Sequence, residues 1–213
     1  MIEFGLCDFL GSELIPYVAD HFIGDCGRGV WETSLLERSA TAHVEPLPDS
    51  ELMISQILQW VAMCNRRGHN NPCAAKDTEL PCRVIDVGSL DGTKGPFLTL
   101  GRGRKAQYLT LSYRWGTGEN YKLTIGNLDA MRESIPLKKL PKTVHDAILV
   151  TRKLGMQYIW IDALCIIQDN NDDWQEHSVI LDKIYGNSWL TISADRAESA
   201  TAGFLHQRNC LQL

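Results

Sequence analysis

Long apolar runs are missing from this 213-residue sequence. A membrane-spanning helix needs roughly 20 consecutive apolar residues, and the longest stretches here, around Ile159 and Ile166, are broken by Asp162 and Gln168. A soluble chain with no membrane partner is expected. The start, Met1-Ile2-Glu3-Phe4, lacks the basic segment and apolar stretch of a secretory signal. With 8 Pro and 17 Gly, the sequence is too poor in both for a collagen-like or low-complexity chain. Strong charge of one sign is also lacking: 26 acids stand against 21 bases, net −5, beside 44% hydrophobic residues, the composition of a chain that folds. The seven cysteines include no CxxC pair, and their odd number and irregular spacing fit reduced, cytoplasmic thiols better than a disulfide framework. GxSxG, the P-loop and HExxH are absent as well, which removes three common catalytic frameworks.

What is present suggests one large domain, or one domain behind an amino-terminal extension. Residues 1–80 carry 12 acids and 5 bases, whereas residues 102–142 carry 9 bases and 3 acids. The basic stretch is too dilute for a nucleic-acid footprint, so no nucleic-acid partner is expected, and a solvated face competes with an anion site as its explanation.

Residues 1–48 show no clean period. Ser50 is placed to cap a helix over about 50–64, with Leu52, Ile54, Ile57, Leu58, Val61 and Ala62 on one apolar face. CRVIDV (82–87) and FLTL (97–100) read as a small β-hairpin turned at Asp91-Gly92. YLTLSY (108–113) reads as a strand leaving through the loop RWGTGEN. Pro141, Thr143 and Asp146 resemble a capping box opening a helix that stops at Gly155. The strand YIWID (158–162), a helix from about Trp174 to Tyr185 capped by Asp173, and the strand WLTISA (189–194) follow. Strand, helix, strand implies a parallel pair, hence an α/β fold whose functional groups gather at the carboxyl ends of its strands.

Three such ends carry polar groups: Ser112, Tyr113, Arg114 and Trp115 after the first strand, Asp162 after the second, and the helix opening at Asp173 and Trp174. Asp162 closes an apolar strand and must be hydrogen-bonded, paired or solvent-facing. Glu176 has two readings. As the third residue after the cap Asp173 it would complete a capping box, and beside Trp174 on a partly apolar face it would be a carboxylate with a raised pKa, suited to general acid/base work or to stabilising a cation. Cys165 with His177 can be written as a nucleophile pair, but the run ALCII favours a buried, inert thiol. GRGRKA (101–106) matches a loose dinucleotide fingerprint, but a strand rather than a helix follows it. Cys64, His69, Cys73 and Cys82 form C-x4-H-x3-C-x8-C, four soft ligands that zinc could use; unliganded thiols are the simpler reading.

Taken together, YLTLSYRWG (108–116), LPKTVHDAI (140–148), LGMQYIWIDALCIIQD (154–169), DDWQE (172–176) and IYGNSWLTISA (184–194) resemble the fungal heterokaryon incompatibility (HET) domain, over roughly residues 80–208. The resemblance implies a TIR-like, flavodoxin-type parallel sheet over residues 80–213, preceded by an extension of residues 1–79. It also implies a role in programmed cell death after fusion of incompatible cells. Some TIR domains hydrolyse NAD+ at the nicotinamide glycosidic bond with a helix-borne glutamate, and DDWQE resembles that segment. Carried over, this makes Glu176 the catalytic carboxylate and places Ser112, Tyr113, Arg114, Trp115, Asp162, Cys165 and Trp174 around NAD+. It implies no further cofactor and a homo-oligomer; the alternative is a non-catalytic module acting by self-association.

Overall fold

The strands that become the centre of the sheet are short and buried on both faces. Leu109–Ser112 (β6) and Leu190–Ser193 (β8) bury almost every residue, and Tyr158–Trp160 (β7) buries its last two. Such continuous burial belongs to a parallel sheet covered on both sides. The computed structural model describes residues 3–5, 48–66, 77–118 and 120–206, with 3–5 and 63–66 as backbone only. Its main sheet has six strands in the order β1-β8-β6-β7-β3-β4. Here β1 is Glu3–Gly5, β3 is Arg83–Asp86 and β4 is Phe97–Leu100. β1 pairs parallel with β8, β8 with β6 and β6 with β7; β3 and β4 run antiparallel at one side. The fold is therefore mixed α/β with a mostly parallel central sheet flanked by helices.

Two expectations change here. The 82–100 hairpin is not a separate unit: β3 pairs with β7 and joins the main sheet. The separate small sheet is instead Thr78–Glu79 (β2) with Lys105–Ala106 (β5). Residues 3–5, without visible period, supply an outer strand, because three residues need only backbone pairing to join a sheet.

The first helix, Glu51–Arg66 (α1), starts as expected, with the Met53 amide donating to Ser50 Oγ at 3.2 Å. Ile54, Ile57 and Val61 are buried but Leu52 and Leu58 are exposed, so the buried face is narrower than the spacing suggests. Leu128–Glu133 (α2) packs on β4. Lys142–Lys153 (α3) links β6 to β7 and ends at Gly155, whose φ of +74° suits a residue without Cβ. No capping box opens α3. Pro141 is its cap residue, and the buried Asp146 carboxylate instead accepts Lys142 Nζ at 3.0 Å and the Phe204 and Leu205 amides at 2.9 and 3.2 Å.

Asp162–Cys165 (α4) follows β7 directly, so Asp162 begins a helix rather than ending a strand. The single helix expected over 174–185 is two, Asn171–Ser178 (α5) and Leu181–Gly186 (α6). The cap of α5 is Asn170, whose Oδ1 accepts the Asp172 and Asp173 amides at 3.0 and 3.2 Å, and not Asp173. The break falls at Val179-Ile180, where the Ile180 amide turns back to the His177 carbonyl. Among the described residues no helix is long and apolar enough to cross a membrane.

Candidate functional site

β6 lies at the middle of the parallel run. The chain leaves it toward β7 through α3, then returns from β7 past β6 to β8 through α5 and α6. With the right hand usual for such crossovers, these two connections cover opposite faces and leave a crevice between the carboxyl ends of β6 and β7. Two sequence-expected residues meet there. The Trp115 indole Nε1 donates to Asp162 Oδ2 at 2.9 Å, while the Ala163 amide donates to Asp162 Oδ1 at 2.7 Å. Burial pushes the Asp162 carboxyl above its ordinary range, and these two donors offset only part of that rise.

Beside this pair the loop after β6 forms an open groove of about 380 Å³, lined by Trp115, Gly116, Gly118, Asn120 and Lys122. The Trp115 carbonyl accepts Asn120 Nδ2 at 2.9 Å and the Ala200 amide at 3.4 Å, which fixes the backbone at the groove's edge. Gly116 has φ of +75°, and a Cβ there would stand 2.7 Å from Ser199 Cβ. Only glycine meets both conditions without strain. Tyr113 is half-buried nearby; its hydroxyl lies beside the Asp162 carboxyl without a bond of normal geometry to any described group, and burial raises its pKa. The buried Trp160 indole N–H also has no hydrogen-bond partner among the described residues, and its ring packs edge-on against Tyr185 with centroids 5.7 Å apart.

The other expected residues differ in exposure and in partners. Ser112 and Arg114 are exposed. Cys165 is fully buried, its thiol pushed up to about 12 by desolvation, so it is poor as a nucleophile or a substrate ligand. His177 does not serve Cys165: its Nδ1 bonds the Asp173 carbonyl at 2.8 Å and its Nε2 lies 3.4 Å from Arg83. Trp174 and Glu176 are exposed on α5. With Asn170 as cap, Glu176 sits in the second helical turn and does not close a capping box. Of the four zinc candidates, His69 and Cys73 lie outside the described residues, Cys64 is described as backbone only, and Cys82 is half-buried. Among the described residues no three His, Cys, Asp or Glu side chains are placed to share a metal.

A second cluster lies on the β3 side. Arg83, 8% exposed, donates Nε to the Cys165 carbonyl at 2.7 Å and Nη2 to both Asp173 oxygens at 2.6 and 2.5 Å. Asp173 also accepts the Ile167 amide at 2.8 Å. Burial raises the Asp173 pKa, but the Arg83 and Ile167 hydrogen bonds outweigh it and hold the carboxyl below its ordinary value. This network docks α5 on the sheet through DDWQE.

Residues 108–213 match the family model described as Heterokaryon incompatibility protein (HET). This part of the chain belongs to the HET family. The HET match opens at Tyr108, just before β6, and takes in the groove, the Trp115–Asp162 pair and α5. Arg83, which anchors α5, lies before the HET match, as does the flank 80–88 that the sequence had placed within the resemblance. No curated protein and no solved structure matches the chain.

Asn120 and Lys122 were missed as site residues. Their signal was the two glycines of RWGTGEN directly after a buried strand, which mark a loop able to fold back over the strand end. The Arg83–Asp173 pair had no sequence signal, because its members are 90 residues apart.

Proposed function

We propose that the chain acts in heterokaryon incompatibility, the role for which its family is named, as a TIR-like effector that hydrolyses NAD+ at the nicotinamide glycosidic bond. The observation that carries this reading is the groove at the β6–β7 crevice, where an indole wall, Trp115, stands beside a cation, Lys122. An indole face suits an aromatic ring of the dinucleotide, and an ammonium suits its phosphates. The parallel run β1-β8-β6-β7 with its helices supports the TIR-like reading of the fold. In the reaction NAD+ and water give ADP-ribose, nicotinamide and a proton. As the C–N bond opens, the electron pair leaves with nicotinamide and positive charge develops on the ribose, where a carboxylate stabilises it. The resemblance assigns that carboxylate to Glu176, which α5 presents at the surface.

Purified protein incubated with NAD+ at several protein concentrations should release nicotinamide, and Glu176→Gln should lower the rate by about 100-fold or more while the protein still folds. Retention of most of the rate would sink the assignment of Glu176. Release of no nicotinamide at any concentration would sink NAD+ hydrolysis itself. Exposed Trp174 and Val179 on and just after α5 favour a second reading, a non-catalytic module acting by self-association. Under it, cell death triggered by the chain survives Glu176→Gln but not replacement of Trp174 and Val179 by serine.

A further inference from the structure

Asp162 would ordinarily be read as a ligand-binding carboxylate, since it lies at a strand end beside the groove. Its hydrogen bonds tell otherwise. Oδ1 is taken by the Ala163 amide and Oδ2 by the Trp115 indole, so both oxygens face protein donors. The groove's lining includes Trp115 but not Asp162. Meanwhile the Trp115 backbone is already fixed through its carbonyl by Asn120 and Ala200, and its neighbour Gly116 is wedged against Ser199. The remaining freedom of Trp115 is rotation of its side chain, and a half-buried indole at a groove mouth has more than one rotamer open to it. A single N–H···O bond to a carboxylate selects one of them.

We propose that Asp162 is a positioning residue: it acts through Trp115, locking the indole as a preformed wall of the groove, and does not itself touch the ligand. A wall fixed in advance spares the ligand the cost of ordering it, so the lock is read as affinity. The identity of the ligand as NAD+ rests on the function proposed above; the lock itself does not.

The test has two independent arms. In 1H–15N spectra of the ligand-free protein, the Trp115 indole cross-peak is identified by its loss in Trp115→Ala. It should be a single peak in the native protein and should shift and broaden or split in Asp162→Leu. An unchanged, sharp peak in a folded Asp162→Leu protein overturns the proposal. In the second arm NAD+ binding is measured across a double-mutant cycle. Asp162→Leu should weaken binding about tenfold, the equivalent of one lost hydrogen bond. In the Trp115→Ala background the same change should have almost no further effect, because the residue it positions is gone. Losses that multiply would show that Asp162 meets the ligand directly, and would reject the proposal. Native protein that binds no NAD+ rejects the dinucleotide reading, and the indole cross-peak then decides the lock alone. If Asp162→Leu fails to fold, replacement of Trp115 by Phe, which keeps a ring but no N–H, should reproduce the tenfold loss, and native affinity in Trp115→Phe overturns the proposal.

Discussion

At the residue scale, two half-buried carboxylates are held in opposite ways. Asp173 faces Arg83 and the Ile167 amide, and its ionised form is favoured in the fold. Its contribution is complete above the ordinary value of 3.8 and is lost as pH falls through its lowered folded value. Asp162 is desolvated with weaker compensation, so the fold binds its proton more tightly than the unfolded chain does, and stability falls as pH rises from 3.8 to its raised folded value. Asp173→Asn should therefore cost about 3 kcal/mol near neutral pH, since it strips a buried guanidinium of its charge partner. Urea denaturation should show that cost shrinking below about pH 4. A cost that does not change with pH would mean that Arg83 finds another partner.

At the scale of elements, the groove is built by a loop and a strap. Residues 199–205 lie along the start of α3: the Thr143 amide donates to the Ala200 carbonyl at 2.9 Å, Thr143 Oγ1 donates to the Ser199 carbonyl and accepts the Gly203 amide, and Asp146 takes the next two amides. Ser199 in turn sets the space left for Gly116. Gly116→Ala should destabilise by about 1–2 kcal/mol from the positive φ, with a further loss from contact with Ser199. Thermal melts should show that adding Ser199→Gly restores the second part and not the first. Full recovery in the double variant would mean that the backbone angle costs nothing. The elements themselves were largely legible. β6, β7, β8, β3, β4, α1 and α3 lie where periodicity and turn residues put them, because apolar alternation and stop signals such as Gly155 act locally. The α5–α6 break and its Asn170 cap were not, because Asp173 looks like a cap by residue type and is drawn off by an arginine far away in the chain.

At the scale of the whole molecule, the family match begins at residue 108 but the sheet does not. β3 and β4 extend it on one side and residues 3–5 on the other, outside β8. Removing residues 1–5 would expose the β8 edge and its backbone donors and acceptors. A loss of about 1–3 kcal/mol in denaturation and a greater tendency to aggregate are expected; unchanged stability would show that this pairing adds nothing in solution. The amino-terminal part, where acids outnumber bases 12 to 5 over residues 1–80, thus also contributes to the sheet. Sequence alone determined the α/β class, the order of the central strands and helices, and the polar residues awaiting a partner at the strand ends, since each depends on neighbours a few residues apart. Only the tertiary structure decided which of these meet. It paired Trp115 with Asp162 across 47 residues and Arg83 with Asp173 across 90, left Glu176 exposed and buried Cys165, because hydrogen-bond partners and burial are set by which elements lie side by side.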